Sequence, residues 1–217
     1  EAIELKPGKD PVDLLRSLNS SISGSHSLLG AILTPELRGF DGKHTKVLLD
    51  GCPINTPWNN TSSLSGFPLR RLQKITVAPG GSAMVYGPNV VAGAVNLTLP
   101  TAKDLEGLTL KQEYGGMGTR HQEFIYGRVA HQNEHLFGLF QDEYDGTRRY
   151  KTHGTGETRS DNKMFMYRGR VETDKGWIFK ATLLESRGSI SIPNFKERFE
   201  PWEMSHHDFV VEKNFAN

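Results

Sequence analysis

LRRLQKITVAPGGSAMVYGPNVVAGAVNLTL, residues 69–99, is the stretch on which the fold turns. Arg70 and Arg71 lead into an apolar strand over residues 73–78. Gly80 and Gly81 break that strand, Ser82 is placed to cap a short helical turn over residues 83–86, and Gly87 ends the turn. A second apolar strand covers residues 94–99 and stops at Pro100. Neither this stretch nor the later GGMGTRH at 115–121 runs into Gly-Lys-Ser/Thr, so a phosphate-binding loop is excluded.

Towards the N-terminus the same short-element grammar continues. Asp10 stands before Pro11 as an N-cap does, and Val12, Leu15 and Leu18 then share one face, which predicts a helix of about two turns. Residues 19–27 read as a Ser/Gly-rich loop. Asp41-Gly42 predicts a turn, residues 45–49 a strand, Asp50-Gly51 a hairpin, and residues 52–55 the returning strand. Residues 56–66, TPWNNTSSLSG, are a polar loop carrying one Trp. Residues 1–100 thus read as a small α+β domain with short strands.

Beyond Pro100 the period becomes two. Leu108, Leu110 and Tyr114 share a face, as do Phe124, Tyr126 and Ala130. Around Phe137 and Leu139 the segment is apolar on both faces. Phe165, Tyr167 and Val171 alternate with Arg168, Arg170 and Glu172, and Trp177, Phe179, Ala181 and Leu183 alternate with Lys180 and Thr182. Phe209, Val211 and Phe215 alternate with Asp208, Glu212 and Asn214. The turns at 132–133 and 173–176 are short, whereas residues 145–162 and 189–205 are long and polar. Segments of about ten residues with turns of unequal length fit a membrane barrel. A soluble β-sandwich also alternates, and the pattern alone leaves both open.

Composition narrows the function classes. Lys and Arg total 26 against 25 Asp and Glu, which lacks the basic excess of a general nucleic-acid binder. Cys52 is the only cysteine, so there is no intrachain disulfide and no Cys-based zinc site. It reads as a structural thiol. The eight histidines show no HExxH spacing. No convergent acid–base, nucleophile or metal set stands out, so catalytic and metal residues are none, no cofactor is expected, and a soluble α+β enzyme is the weakest reading. No apolar run reaches the roughly 18 residues of a membrane helix.

Five segments in order, DPVDLLRSL, ELRGF, TKVLLDGCPIN, LRRLQKITVAPGGSAMVYG and VVAGAVNLTLP, resemble the plug motifs of TonB-dependent outer-membrane receptors over roughly residues 8 to 100. The resemblance implies an α+β plug domain at 1–100 followed, at 101–217, by antiparallel transmembrane β-barrel strands. It also implies a bacterial outer-membrane location and uptake of a scarce bulky nutrient such as an iron–siderophore, cobalamin or haem. Its partners would be TonB, outer-membrane lipid and a small-molecule or metal-chelate ligand, with no nucleic acid. The loop residues Trp58, Asn59 and Asn60 would touch ligand; Arg38, Arg70 and Arg71 would make plug–barrel contacts. Tyr86 would be a packing residue.

Two positions depart from the family pattern. Thr76 stands where the family carries Glu and Pro79 where it carries Arg, so one latch to barrel carboxylates is lost while Arg38 in the Arg-Gly-Phe motif is kept. No TonB box is recognisable before Pro11. Six strand segments are too few for a plugged barrel of roughly 22 strands, and an open edge cannot face lipid. The barrel therefore needs further sequence or further chains. The alternative function is a non-transporting plug and half-barrel module of a multi-chain outer-membrane assembly.

Overall fold

The computed structural model describes residues 2–4, 22–26, 33–62, 64, 71–88, 90–146, 158–191 and 199–213. The predicted helix after Asp10, Arg70, and residues 147–157 and 192–198 lie outside them; the described ends of the segments predicted as loops at 145–162 and 189–205 are strand, because cross-strand pairing carries these polar residues further than apolar alternation signals. The chain divides into two compact units, Glu1–Pro100 and Thr101–Asn217.

The first unit is built on a five-stranded sheet ordered β1-β6-β7-β4-β5, from β1 (Ala2–Glu4), β4 (Thr45–Leu49), β5 (Cys52–Pro53), β6 (Lys74–Pro79) and β7 (Gly93–Thr98). β4 and β7 run parallel, and every other pair in this sheet is antiparallel. The two central strands are apolar on both faces: Val47, Leu48, Leu49, Val95 and Leu97 are all buried. That continuous Val/Leu pattern is what a strand covered on both sides requires. A separate pair joins β2 (Ile22–His26) to β3 (Leu33–Leu37). Residues 22–26 therefore form a strand where composition predicted a loop. ISGSH has no apolar face to signal a strand, and backbone pairing with β3 supplies the order.

The stretch at 69–99 folds largely as read. Its strands are shifted by one residue, to Lys74–Pro79 and Gly93–Thr98. The turn between them is a 3-10 helix over Gly80–Tyr86 that ends at Gly87. Ser82 does not cap it: Pro79 occupies the N-cap position, and the Ser82 hydroxyl donates to the Pro79 carbonyl (2.7 Å). Gly93 is required at the start of β7. Its φ is +143°, and a Cβ there would sit 2.5 Å from the Ala78 carbonyl oxygen.

The second unit is one antiparallel sheet of consecutive strands: β8 (Gly107–Tyr114), β9 (Arg120–Ala130), β10 (Asn133–Gly146), β11 (Thr158–Glu172), β12 (Trp177–Ser191) and β13 (Phe199–Lys213). Among the described residues it does not close, and β8 and β13 are its edges. Its faces differ as the period of two predicts. One carries buried Ile125, Leu136, Met166 and Leu184 interspersed with His121, Glu123, Glu134, Thr182 and Ser186. The other exposes Leu108, Leu110, Phe124, Tyr126, Phe137, Leu139, Trp177, Phe179, Phe209 and Val211.

Register organises the exposed face into rungs. Leu108, Tyr126, Phe137 and Tyr167 are successive cross-strand partners, as are Leu110, Phe124, Leu139 and Phe165. The next rung is polar, Gln112, Gln122, Gln141, Lys163 and Arg187. On the covered face near the short turns, Glu134 pairs with Lys103 (2.9 Å) and Arg170 (3.7 Å), and Arg170 with Glu172 (2.6 Å). Residues 102–105 cross β9 at Gly127, where a Cβ would collide with the Leu105 carbonyl.

Candidate functional site: the Trp58 loop and the pole around it

The topology of the first sheet gathers its connections at one end. Parallel pairing of Thr45 with Gly93, and antiparallel pairing of Pro79 with Gly93, place the starts of β4 and β7 beside the end of β6. Antiparallel pairing of β4 with β5 brings the chain after β5 back to the same end. Three connections therefore meet there: the turn at residues 38–44, the loop at residues 55–62, and the 3-10 turn over Gly80–Tyr86 with its exit. Ala92 N–H donates to the His44 carbonyl (3.0 Å) and Lys46 Nζ to the Pro88 carbonyl (3.3 Å), which ties these connections together.

The polar loop is heavily cross-bonded. Thr56 N–H donates to the Thr61 carbonyl (2.7 Å), and Asn60 N–H to the Thr56 carbonyl (2.9 Å). Asn59 Oδ1 accepts from Thr61 N–H (3.0 Å), from the Thr61 hydroxyl (2.7 Å) and from the Thr56 hydroxyl. Asn60 adopts a left-handed conformation (φ 54°), which Asn tolerates better than most residues, and its Nδ2 donates to the Lys43 carbonyl. At the base, Asn55 bonds three backbone groups. Its Oδ1 accepts from Val47 N–H (2.7 Å), and its Nδ2 donates to the carbonyls of Thr45 (3.0 Å) and Asn60 (2.8 Å).

The three sequence-predicted ligand residues thus divide. The Asn59 and Asn60 amides are engaged in holding the loop. Trp58, at 83% exposure, projects from it. Around the same end of the sheet, Phe40, Met84, Val85 and Val91 are also exposed. Sequence reasoning singled out none of the last three, since nothing in GGSAMVYG or VVAG marks an apolar residue as exposed. Tyr86 does pack, against Leu48, Ala83 and Ala94, as the resemblance implied.

Of the three arginines, Arg38 is exposed and left-handed (φ 56°), and its guanidinium lies beside Gly80 within the first unit. Arg71 is half-buried. Asp41 caps the turn over Gly42–His44 by accepting from Lys43 N–H (3.3 Å), and that bond together with the Lys43 ammonium (3.3 Å) holds its carboxyl below the ordinary value. Among the described residues no group of three His, Cys, Asp or Glu side chains is arranged to hold a metal ion, and no helix is long and apolar enough to cross a membrane.

A five-stranded unit with Gly-bounded turns, leading straight into an unclosed sheet of alternating strands, has a family counterpart. Residues 1–94 match the TonB-dependent Receptor Plug Domain. This part of the chain is a TonB-dependent receptor plug. The plug and the sheet after it together have the TonB-dependent receptor fold. The chain is 26% identical over 172 residues to the vitamin B12 transporter BtuB of Vibrio vulnificus strain YJ016, covering 76% of this chain and 27% of the transporter. Among solved structures it is similar to the copper transporter OprC, with a TM-score of 0.74 at 15% identity over 98% of this chain and 34% of OprC. The siderophore receptor PirA of Acinetobacter baumannii gives 0.64 at 14% identity over 88% of this chain and 32% of the receptor. These structural likenesses are of fold. The chain spans about a quarter to a third of the length of the proteins it matches. Those proteins are transporters and receptors, not enzymes.

Proposed function

We propose that this chain is the plug and first wall of a TonB-dependent outer-membrane receptor that imports a scarce bulky nutrient. An iron–siderophore, cobalamin or haem is the substrate class. The observation that carries the reading is the plug match over residues 1–94, continued by a sheet with one face of exposed apolar rungs and one that mixes polar and apolar side chains. In this reading the apolar rungs face outer-membrane lipid, the mixed face lines the lumen, and further sequence or further chains complete the barrel. TonB supplies the work that displaces the plug. Trp58 meets ligand, while Asn59 and Asn60 shape the loop that presents it. Arg38, Arg70 and Arg71 contact the barrel.

The test is uptake by cells carrying the natural full-length protein. Labelled cyanocobalamin, ferric enterobactin and haemin are offered to cells with and without TonB. Loss of TonB should abolish accumulation of the cognate compound and leave its surface binding intact. Accumulation that persists without TonB sinks the transport reading. A second reading, a non-transporting plug and half-barrel module, draws on Thr76 and Pro79, which leave β6 without the charges of the family latch. It predicts stoichiometric partner chains on purification and no accumulation of any of the three compounds.

A further inference from the structure

Asn55 occupies an unusual place in the plug sheet. The β4–β5 ladder is short, with Leu49 opposite Cys52 and Leu48 opposite Pro53. Ile54 N–H extends it by one bond to the Val47 carbonyl (3.0 Å). At the next position the backbone turns away and the Asn55 side chain continues the ladder instead. An amide carries an acceptor and two donors, the same functions as a peptide group. Val47 N–H, the Thr45 carbonyl and the Asn60 carbonyl all have fixed polarity, so the network permits only one orientation of the Asn55 amide.

Two of these bonds hold β4 and the third holds the far limb of the loop. Asn60 adds its own bond to the Lys43 carbonyl. The loop is therefore pinned at both limbs to the leading end of β4, and Thr56 and Thr61 close it across its waist. Only the tip stays outside this mesh, and Trp58 is at the tip. We propose that Asn55 is the positioning residue of the ligand loop, fixing the direction in which Trp58 is presented. This rests on the reading of that loop as ligand-contacting. A pre-set aromatic binds without first losing loop freedom, so the advantage of the clamp is in affinity. Asn59 Oδ1 and Asn60 Nδ2 are engaged within the loop, so the Trp58 ring is the main recognition surface at this tip, which suits a ligand with a broad apolar or conjugated face.

The experiment uses the natural full-length protein and compares Asn55→Ala, Asn55→Asp, Trp58→Ala and Asn96→Ala. Asn96 is the control: its Oδ1 accepts from Gly51 N–H (2.9 Å) at the opposite end of the same sheet. Its loss weakens the plug fold without touching the loop. Binding of cyanocobalamin, haemin and ferric enterobactin is measured at equilibrium. Asn55→Ala should raise the Kd of the cognate compound about tenfold, and Asn55→Asp at least as much, because its second oxygen faces two carbonyls. Trp58→Ala should raise it as far, and Asn96→Ala should leave it unchanged. If Trp58→Ala weakens binding but Asn55→Ala does not, or if Asn96→Ala matches Asn55→Ala, the positioning role is overturned and the ligand loop stands. If Trp58→Ala has no effect, the ligand loop itself falls, and the proposal with it. A second readout needs no ligand. With every tryptophan but Trp58 replaced by Phe, the fluorescence anisotropy should drop in Asn55→Ala. Unchanged anisotropy overturns the proposal whichever compound binds.

Discussion

Single residues carry conformations that no neighbour could share. Gly93 begins β7 with φ +143° against the Ala78 carbonyl, at the point where the parallel and antiparallel ladders meet. Gly93→Ala should destabilise the plug by about 2–4 kcal/mol, since it adds both backbone strain and a collision with main chain. Chemical denaturation of the wild-type and variant proteins measures this. A loss below roughly 0.5 kcal/mol would show that the turn relaxes freely. The DG hairpin at Asp50-Gly51, whose residues both have positive φ, was readable from sequence because few residue pairs accept that geometry. Asn55 was not readable. Its role depends on which backbone groups lie opposite, and sequence spacing does not reveal that.

Elements show where periodicity suffices. In the second unit all six predicted strand segments are present, because alternating side chains report directly on two faces. In the plug, strand limits moved by a residue or two. Residues 52–55 were expected to be a full returning strand, but the strand covers Cys52–Pro53. Pro53 cannot donate, and the Asn55 side chain takes over the pairing. β2 was missed because Ile22 is its only apolar side chain, too little to show a period. The exposed rungs carry the element-scale prediction. Trp177 begins β12 beside Lys213, whose ammonium lies 5.0 Å from the ring centroid, on the face with Phe179 and Val211. With Trp177 as the only tryptophan, brominated lipid should quench its emission strongly. With Trp58 as the only tryptophan, quenching should be slight. Equal quenching of the two would contradict the assignment of the apolar face to lipid.

The whole molecule is governed by what its sheets leave open. Among the described residues β8 and β13 are the edges of the sheet, a template for further strands. Isolated in detergent, the 217-residue chain should self-associate through these edges, and light scattering should report a mass well above one copy. A stable monodisperse monomer would mean that the edges are protected some other way. The crossing at Gly127 bears on a different question. There the chain leaving Pro100 is seated on β9 by close backbone contact at Gly127 and on β10 by the Lys103–Glu134 pair. Such a seat acts as a knot. Within the second unit it fixes the first residues after Pro100 to the sheet, so β8 starts from a held point and not from a free end.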